Sequence, residues 1–489
     1  MASPLRSTIV SSLTKPRSWI DRLWVAVAER GRAYIAVPST TLAPLERARR
    51  LAMALLSERG EASGAAVARE LHAVLRDLGP EERLGFYRFL AAGFLPDEGR
   101  LRAAAEAYLA QPSAERAALL AEAAEPARQE LLRRMNMSMG GTAALVAMRK
   151  ELLGRLRQEP ALKPLDGDLR HLFASWFNRG FLELRRIDWE TPASVLEKLI
   201  EYEAVHQVQG WDDLRRRLGP DRRCFAFFHP SLPGEPLIFV EVALVEGLAT
   251  AVQPLLMRDR DEKAQRERAA RADTAIFYSI SNCQEGLRGV SFGNFLIKQV
   301  VEELKDELPH LTRFATLSPV PSFRRWLEQR AVSDAADLLH PEESAALRRA
   351  ADMADEVDGG AALLSLLKRE AWWEDSAVVE ALRRPLVRLC ALHLASPVGA
   401  GSASDPVARF HLGNGARLER INWLGNVAPR GITESFGLMV NYLYDPDTIE
   451  ANHEAFARDG TVMRSPAIDA LLAPAPAAIP PVRSRLRVR

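Results

Sequence analysis

Between about Thr41 and Gly180 apolar residues recur at intervals of three and four, as in Leu71, Val74, Leu75 and Leu78. That is the period of amphipathic helices packed on one another. Helix punctuation falls at the breaks in this pattern: Gly79-Pro80 before Glu81, Pro96-Asp97 before Arg100, and Gln111-Pro112-Ser113 before Leu119. The pattern predicts a helical bundle. Thr191-Pro192 reads as an N-cap followed by proline at the first helical position, opening a helix through Leu196, Leu199, Ile200 and Tyr202.

After Gly210-Trp211 the texture changes. Cys224–Phe228 and Leu237–Leu244 are short, β-branched and aromatic-rich, and the turn-forming stretch Pro230 to Pro236 joins them as a β-hairpin. Arg258 to Arg271 carries almost no apolar residues and reads as a solvated loop or short helix. Thr274–Ile280 is a third strand. Gly286, Gly289 and Gly293 then occupy a short loop, helical period returns from Phe295 through Val300, Val301 and Leu304, and a strand Arg313–Ser318 ends at Pro319-Val320-Pro321. Residues 326–396 are helical in texture, the chain from Phe410 reads as strand and loop, and the Pro/Ala-rich residues 473–489 read as a disordered tail.

Composition narrows the function classes. At roughly 150 residues per domain, 489 residues favour two unequal domains. With 65 Lys+Arg against 64 Asp+Glu there is no basic excess of the kind nucleic-acid binding requires. No run reaches the roughly 18 apolar residues of a membrane span, so a soluble, cytoplasmic protein is expected. The acid-poor first 35 residues resemble a transit peptide, but Asp21 and Glu29 interrupt them; organellar targeting stays open. Cys224, Cys283 and Cys390 are far apart, and the nine histidines show no ligand spacing, so neither a disulfide framework nor a metal site is expected.

The order strand, glycine loop, helix, strand offers backbone N–H groups and a helix N-terminus to an anion. Spacing excludes the dinucleotide fingerprint and the nucleoside-triphosphate loop; it leaves open both a phosphate cradle and a plain tight turn. Ser318 stands at the end of a strand beside that loop, where open α/β sheets bind ligands. A serine before proline is also an ordinary turn residue. His411 precedes the small-residue run Gly413-Asn414-Gly415, and His229 precedes Pro230; either is a ligand contact or a structural hydrogen bonder. Arg420, Asn422, Trp423 and Asn426 line a pocket or satisfy strand ends.

Arg288-Gly289-Val290-Ser291-Phe292-Gly293 resembles the pyrophosphate loop of GNAT acetyltransferases, with Ser291 where glycine is common. In chain order, His229–Leu244, Phe277-Tyr278-Ser279-Ile280-Ser281, Gly286–Val301, Leu317–Pro321, His411–Trp423 and Arg430 to Tyr442 resemble malonyl-CoA decarboxylases. The resemblance spans about residues 190–446. It implies an α+β protein: an N-terminal all-helical bundle over residues 1–180 mediating homo-oligomer contacts, then a GNAT-like α/β catalytic domain over 181–489 with a helical insertion at 326–396. By motif match it places catalytic roles on Ser318, His411 and Tyr444. It maps acyl-CoA binding to Arg288, Gly289, Val290, Ser291, Phe292, Gly293 and Asn294. Some relatives have glutamate at the Ser291 position. The implied substrate and product are malonyl-CoA and acetyl-CoA, with no metal or organic cofactor, since the thioester carbonyl itself accepts the electron pair released with CO₂. A GNAT-type acyl-CoA N-acyltransferase is the alternative reading.

Overall fold

The computed structural model describes residues 42–57, 61–290, 296–333, 338–395 and 405–473. Residues 291–294 of the expected acyl-CoA loop, the N-terminal segment and residues 474–489 of the expected tail lie outside them.

From Pro44 to Trp176 the chain is helical, and the helices begin where the punctuation places them. Gly79 caps Pro80–Gly93 with proline at its first position, Asp97 caps Glu98–Ala110, and Ser113 caps Ala114–Ala124. In the last two, the cap side chain accepts from the backbone N–H of Arg100 and Arg116 respectively, which satisfies donors that have no partner within the helix. Thr191 differs from expectation. Pro192 is the N-cap of Ala193–Tyr202, and the Thr191 hydroxyl instead accepts from the Asp188 N–H at 3.0 Å.

The sheet begins at β1 (Glu183–Ile187), and the predicted hairpin is β2 (Arg222–Phe228) with β3 (Pro236–Val245). The charged segment is a helix, Glu262–Arg271. β4 (Thr274–Asn282) follows, then the helix Leu296–Glu307 and β5 (Arg313–Thr316). The single strand expected over Arg313–Ser318 is divided at Leu317. Ser318–Pro319 form β6, which pairs with β8 (Met439–Tyr444) rather than continuing along β4. With β7 (Arg417–Asn422) the sheet order is β1-β2-β3-β4-β5-β8-β6, β7 also pairing with β8. Among these named strands only β4 and β5 run parallel.

The expected helical part followed by a mixed-sheet α/β part therefore stands. Its central parallel pair separates at one place: Val242 faces Phe277 and Glu241 faces Ser279, so Tyr278 is a bulge in β4. Pairing with β5 stops at Phe277–Thr316, and a last bond runs from the Leu317 N–H to the Phe277 carbonyl at 3.0 Å. Beyond it β4 continues to Asn282 against β3 alone. Bulges re-aim side chains and end pairing, commonly beside active sites.

The helical insertion comprises Phe323–Ser333, Pro341–Ala351, Gly359–Leu367 and Ser376–Ala395. The strand-and-loop texture expected from Phe410 is corrected. Asp405 caps a helix, Pro406–Gly413, with proline at its start, and the strands come after it. One continuous apolar cluster runs from Leu51 and Leu145 through Phe173 and Phe227 to Leu418 and Tyr444, joining the helical part to the sheet.

Candidate active site

Thr316, Ser318, Tyr442 and Tyr444 reach one face of the sheet through the two-residue period of β5–β6 and β8. The helix Pro406–Gly413 lowers His411 onto them from its last turn. Ser318 Oγ stands 3.0 Å from His411 Nε2, and Tyr444 Oη 2.8 Å from His411 Nδ1. Tyr442 lies under the imidazole with ring centroids 4.7 Å apart and planes 25° from parallel. His411 retains 3% of its exposure and Ser318 5%.

The hydrogen bonds fix the direction of the proton chain. Ser318 Oγ donates to Thr316 Oγ1 at 2.9 Å, and Thr316 Oγ1 also accepts from the Tyr442 N–H at 3.2 Å. Having given up its only proton, the Ser318 oxygen must accept from His411, so Nε2 carries the imidazole proton. Nδ1 is then an acceptor, and the Tyr444 hydroxyl donates to it. Burial pushes the Tyr444 phenol far up and keeps that proton in place. Burial also lowers His411 to about 3, so the imidazole is neutral at physiological pH.

Neutral buried imidazoles make the fold sensitive to acid. His411, lowered to about 3, and His206, lowered to about 4, are both held down chiefly by burial, and His72, His229 and His393 are displaced in the same direction for the same reason. The unfolded chain regains histidines near 6.5 and binds protons that the folded chain refuses. Their contribution is complete above pH 6.5 and drains away as pH falls toward the folded values. Each fully effective histidine costs about 1.4 kcal/mol per pH unit in that window. The urea midpoint is expected to fall steadily from pH 6.5 to 5, and less steeply in His411→Asn; a flat midpoint over that interval contradicts the buried neutral state.

Of the other singled-out residues, His229 is structural. Its Nε2 meets the Trp176 carbonyl at 3.1 Å and its Nδ1 accepts from the Ser231 N–H. Arg420 and Asn422 brace the sheet, both donating to Asn441 Oδ1, while Asn441 Nδ2 donates to the Thr316 carbonyl at 2.7 Å. Trp423 packs on Trp372, and Asn426 Oδ1 accepts from the Ala428 N–H. Arg288 and Gly289 are exposed, Gly289 at φ +76°, and Val290 is buried.

Gly286 departs from the expected anion loop. It lies in a 3₁₀ turn, Glu285–Leu287, pressed on the helix Gly141–Arg155 of the N-terminal part. A Cβ there would stand 2.0 Å from the Val146 carbonyl oxygen. Arg149, buried and paired with Asp166 at 2.8 Å, donates to the Gly286 carbonyl at 2.8 Å.

Sequence reading did not single out Thr316 or the stacking of Tyr442. Thr316 sits two residues before Ser318 and Tyr442 two before Tyr444, so the two-residue period of extended chain alone would have found them.

The models of the malonyl-CoA decarboxylase C-terminal and N-terminal domains match residues 180–480 and 94–177. The mitochondrial malonyl-CoA decarboxylase of Rattus norvegicus is 38% identical over 399 residues, 78% of this chain and 80% of its own. That of Anser anser anser is 41% identical over 337 residues, 68% of this chain and 66% of its own. A malonyl-CoA decarboxylase crystal structure from Rhodopseudomonas palustris aligns with a TM-score of 0.78 at 48% identity, covering 87% of this chain and 99% of that one. One from Agrobacterium vitis gives 0.77 at 47%, covering 87% and 100%.

Proposed function

The chain belongs to the malonyl-CoA decarboxylase family, and from that membership we infer that it splits malonyl-CoA into acetyl-CoA and CO₂ at the Ser318–His411 pair. The observation that carries the assignment to this pair is a buried, uncharged imidazole in 3.0 Å contact with a hydroxyl on the sheet.

Malonyl-CoA brings a carboxylate into a dry site. The Ser318 hydroxyl turns from Thr316 to that carboxylate, orienting it so that the breaking C–C bond stands perpendicular to the thioester plane. The carboxylate's charge raises the proton affinity of His411, which alone is too low to hold a second proton. One proton thus enters from solvent with the substrate, and the Tyr444 oxygen accepts from Nδ1 while it is there. The C–C pair flows into the thioester carbonyl, CO₂ leaves, and the enolate carbon takes the Nε2 proton. His411 is left neutral with its remaining proton on Nδ1, and proton exchange with solvent restores the resting Nε2–H tautomer before the next turnover, the charge of the filled site staying at zero through the chemical step.

Because the thioester is its own electron sink, the reaction is proposed to need no metal or organic cofactor. An N-acyltransferase would instead have to deprotonate an amine, and a protonated Nε2 is a poor group for that task. Incubation with malonyl-CoA and no amine is expected to give equal amounts of acetyl-CoA and CO₂, unchanged after dialysis against EDTA. Stable malonyl-CoA, turned over only on adding an amine, would establish the transferase.

Homo-oligomer contacts are assigned to the hairpin Glu98–Ala110 and Ala114–Ala124. Its first helix buries no residue, and Leu109 and Leu119 are 77% and 54% exposed. Among the described residues no helix is long and apolar enough to cross a membrane. The compartment is proposed as cytoplasm, with the mitochondrial relatives marking an organelle as the other possibility.

A further inference from the structure

Ser318 and His411 come from two separate segments, and a second set of contacts ties the same two segments together. Ser322 follows Ser318 across Pro319-Val320-Pro321. Its N–H and its hydroxyl both donate to Asp405 Oδ2, at 3.0 and 2.6 Å. Oδ1 of that carboxylate accepts from the N–H groups of Val407 and Ala408 at 2.9 and 3.0 Å, capping the helix that carries His411. His393, on the helix Ser376–Ala395, brings Nε2 to 2.8 Å from Ser322 Oγ. Asp405, His393 and Ser322 keep 2%, 3% and 8% of their exposure.

A serine, a histidine and a carboxylate in contact suggest a hydrolytic triad, but the order of bonds rejects it. In a triad the carboxylate orients the histidine, and the histidine takes the serine's proton. Here the carboxylate takes the serine's proton directly, and the histidine donates to the same serine oxygen. Ser322 therefore has no base to activate it, and the cluster holds rather than reacts.

We propose that Asp405 and Ser322, backed by His393, form a positioning clamp that sets the Ser318–His411 separation by tying residues 318–322 to the start of the His411 helix. The clamp rests on the decarboxylase reading of that pair. Hydrogen bonds to a carboxylate are short and strong. Pro319 and Pro321 fix φ near −65° between the two serines, so a shift at Ser322 is carried to Ser318 instead of being absorbed. At the other end, loosening the cap tilts a helix of about two turns with His411 at its far end. A misplacement of about 1 Å can cost on the order of 100-fold in rate.

Ser322→Ala and Asp405→Asn in the full chain test the clamp. Asparagine keeps the shape of the cap and ranks with aspartate as an N-cap, and Ser322→Ala keeps the backbone bond, so at least one variant folds. Each is expected to lower kcat about 10- to 100-fold with KM for malonyl-CoA changed less than about twofold. A merely structural role would lower thermal stability and leave kcat per CoA-binding site unchanged, which overturns the proposal. Repeating each substitution in a His411→Asn background is expected to cost nothing further, because there is no longer a proton donor to aim; a multiplied loss overturns it as well. If His411→Asn alone turns over normally, the decarboxylase reading of the pair falls and takes the clamp with it.

Discussion

His411→Asn is expected to lose about 10²- to 10⁴-fold in kcat and to keep its affinity for coenzyme A. Asparagine roughly matches the imidazole in bulk and can still pack above Tyr442 and face Ser318, so the site should not collapse. What it lacks is a nitrogen that accepts a proton from solvent and releases it to carbon. Burial alone holds His411 at about 3, so in the proposed mechanism the proton arrives only with the anionic substrate. Tyr444, 2.8 Å from Nδ1, is too far up in pKa to serve in its place. The checks are malonyl-CoA turnover beside calorimetric titration with coenzyme A. Turnover within tenfold of the unsubstituted enzyme removes His411 from proton delivery.

Gly286→Ala is expected to have the second largest effect, on both stability and substrate affinity. The new Cβ meets the Val146 carbonyl at 2.0 Å and its carbon at 2.9 Å, both backbone atoms that cannot swing aside. Overpacking of this kind costs about 1–3 kcal/mol, occasionally more. The relaxation also strains the Arg149 bond to the Gly286 carbonyl and moves the turn that leads into Arg288 and Gly289. KM for malonyl-CoA should therefore rise by about tenfold, equivalent to about 1.4 kcal/mol, with kcat less affected because Ser318 and His411 lie elsewhere. Urea denaturation and steady-state kinetics decide it. An unaltered midpoint with unaltered KM would show that the turn yields without cost.

The helical part then takes on a role that its sequence does not announce. Its amphipathic repeats read as scaffold, and the residues that matter to the turn, Val146 and Arg149, look like any other positions of a helix. Gly286 reads as one of three loop glycines. A backbone packed against it from 140 residues upstream has no local signature, since glycine for close approach and glycine for a tight turn are the same letter. Similarly, Asp405 reads as a residue before proline, and nothing near it announces that its carboxylate also holds Ser322. The division of Arg313–Ser318 into two strands was hidden for the same reason: the extended pattern is identical whether pairing with β4 continues past Thr316 or stops there and leaves Ser318 paired with β8 alone.

Sequence alone determined the elements whose signals are short-range. These are the helices from 3.6-residue periodicity and caps at Gly79, Asp97 and Ser113, the hairpin from β-branched and aromatic runs around a proline-rich turn, and the order of motifs that identifies the family. It also named a hydroxyl, an imidazole and a phenol, Ser318, His411 and Tyr444, whose roles it took from resemblance, and these three side chains meet in the structure. Tertiary structure decided that the first two meet across 93 residues, which nitrogen bears the proton, and that His411 is uncharged. Those properties follow from strand order, from the helix laid over β8 and from the exclusion of water around an imidazole. Each is a sum over neighbours distant along the chain, so no window of sequence contains it.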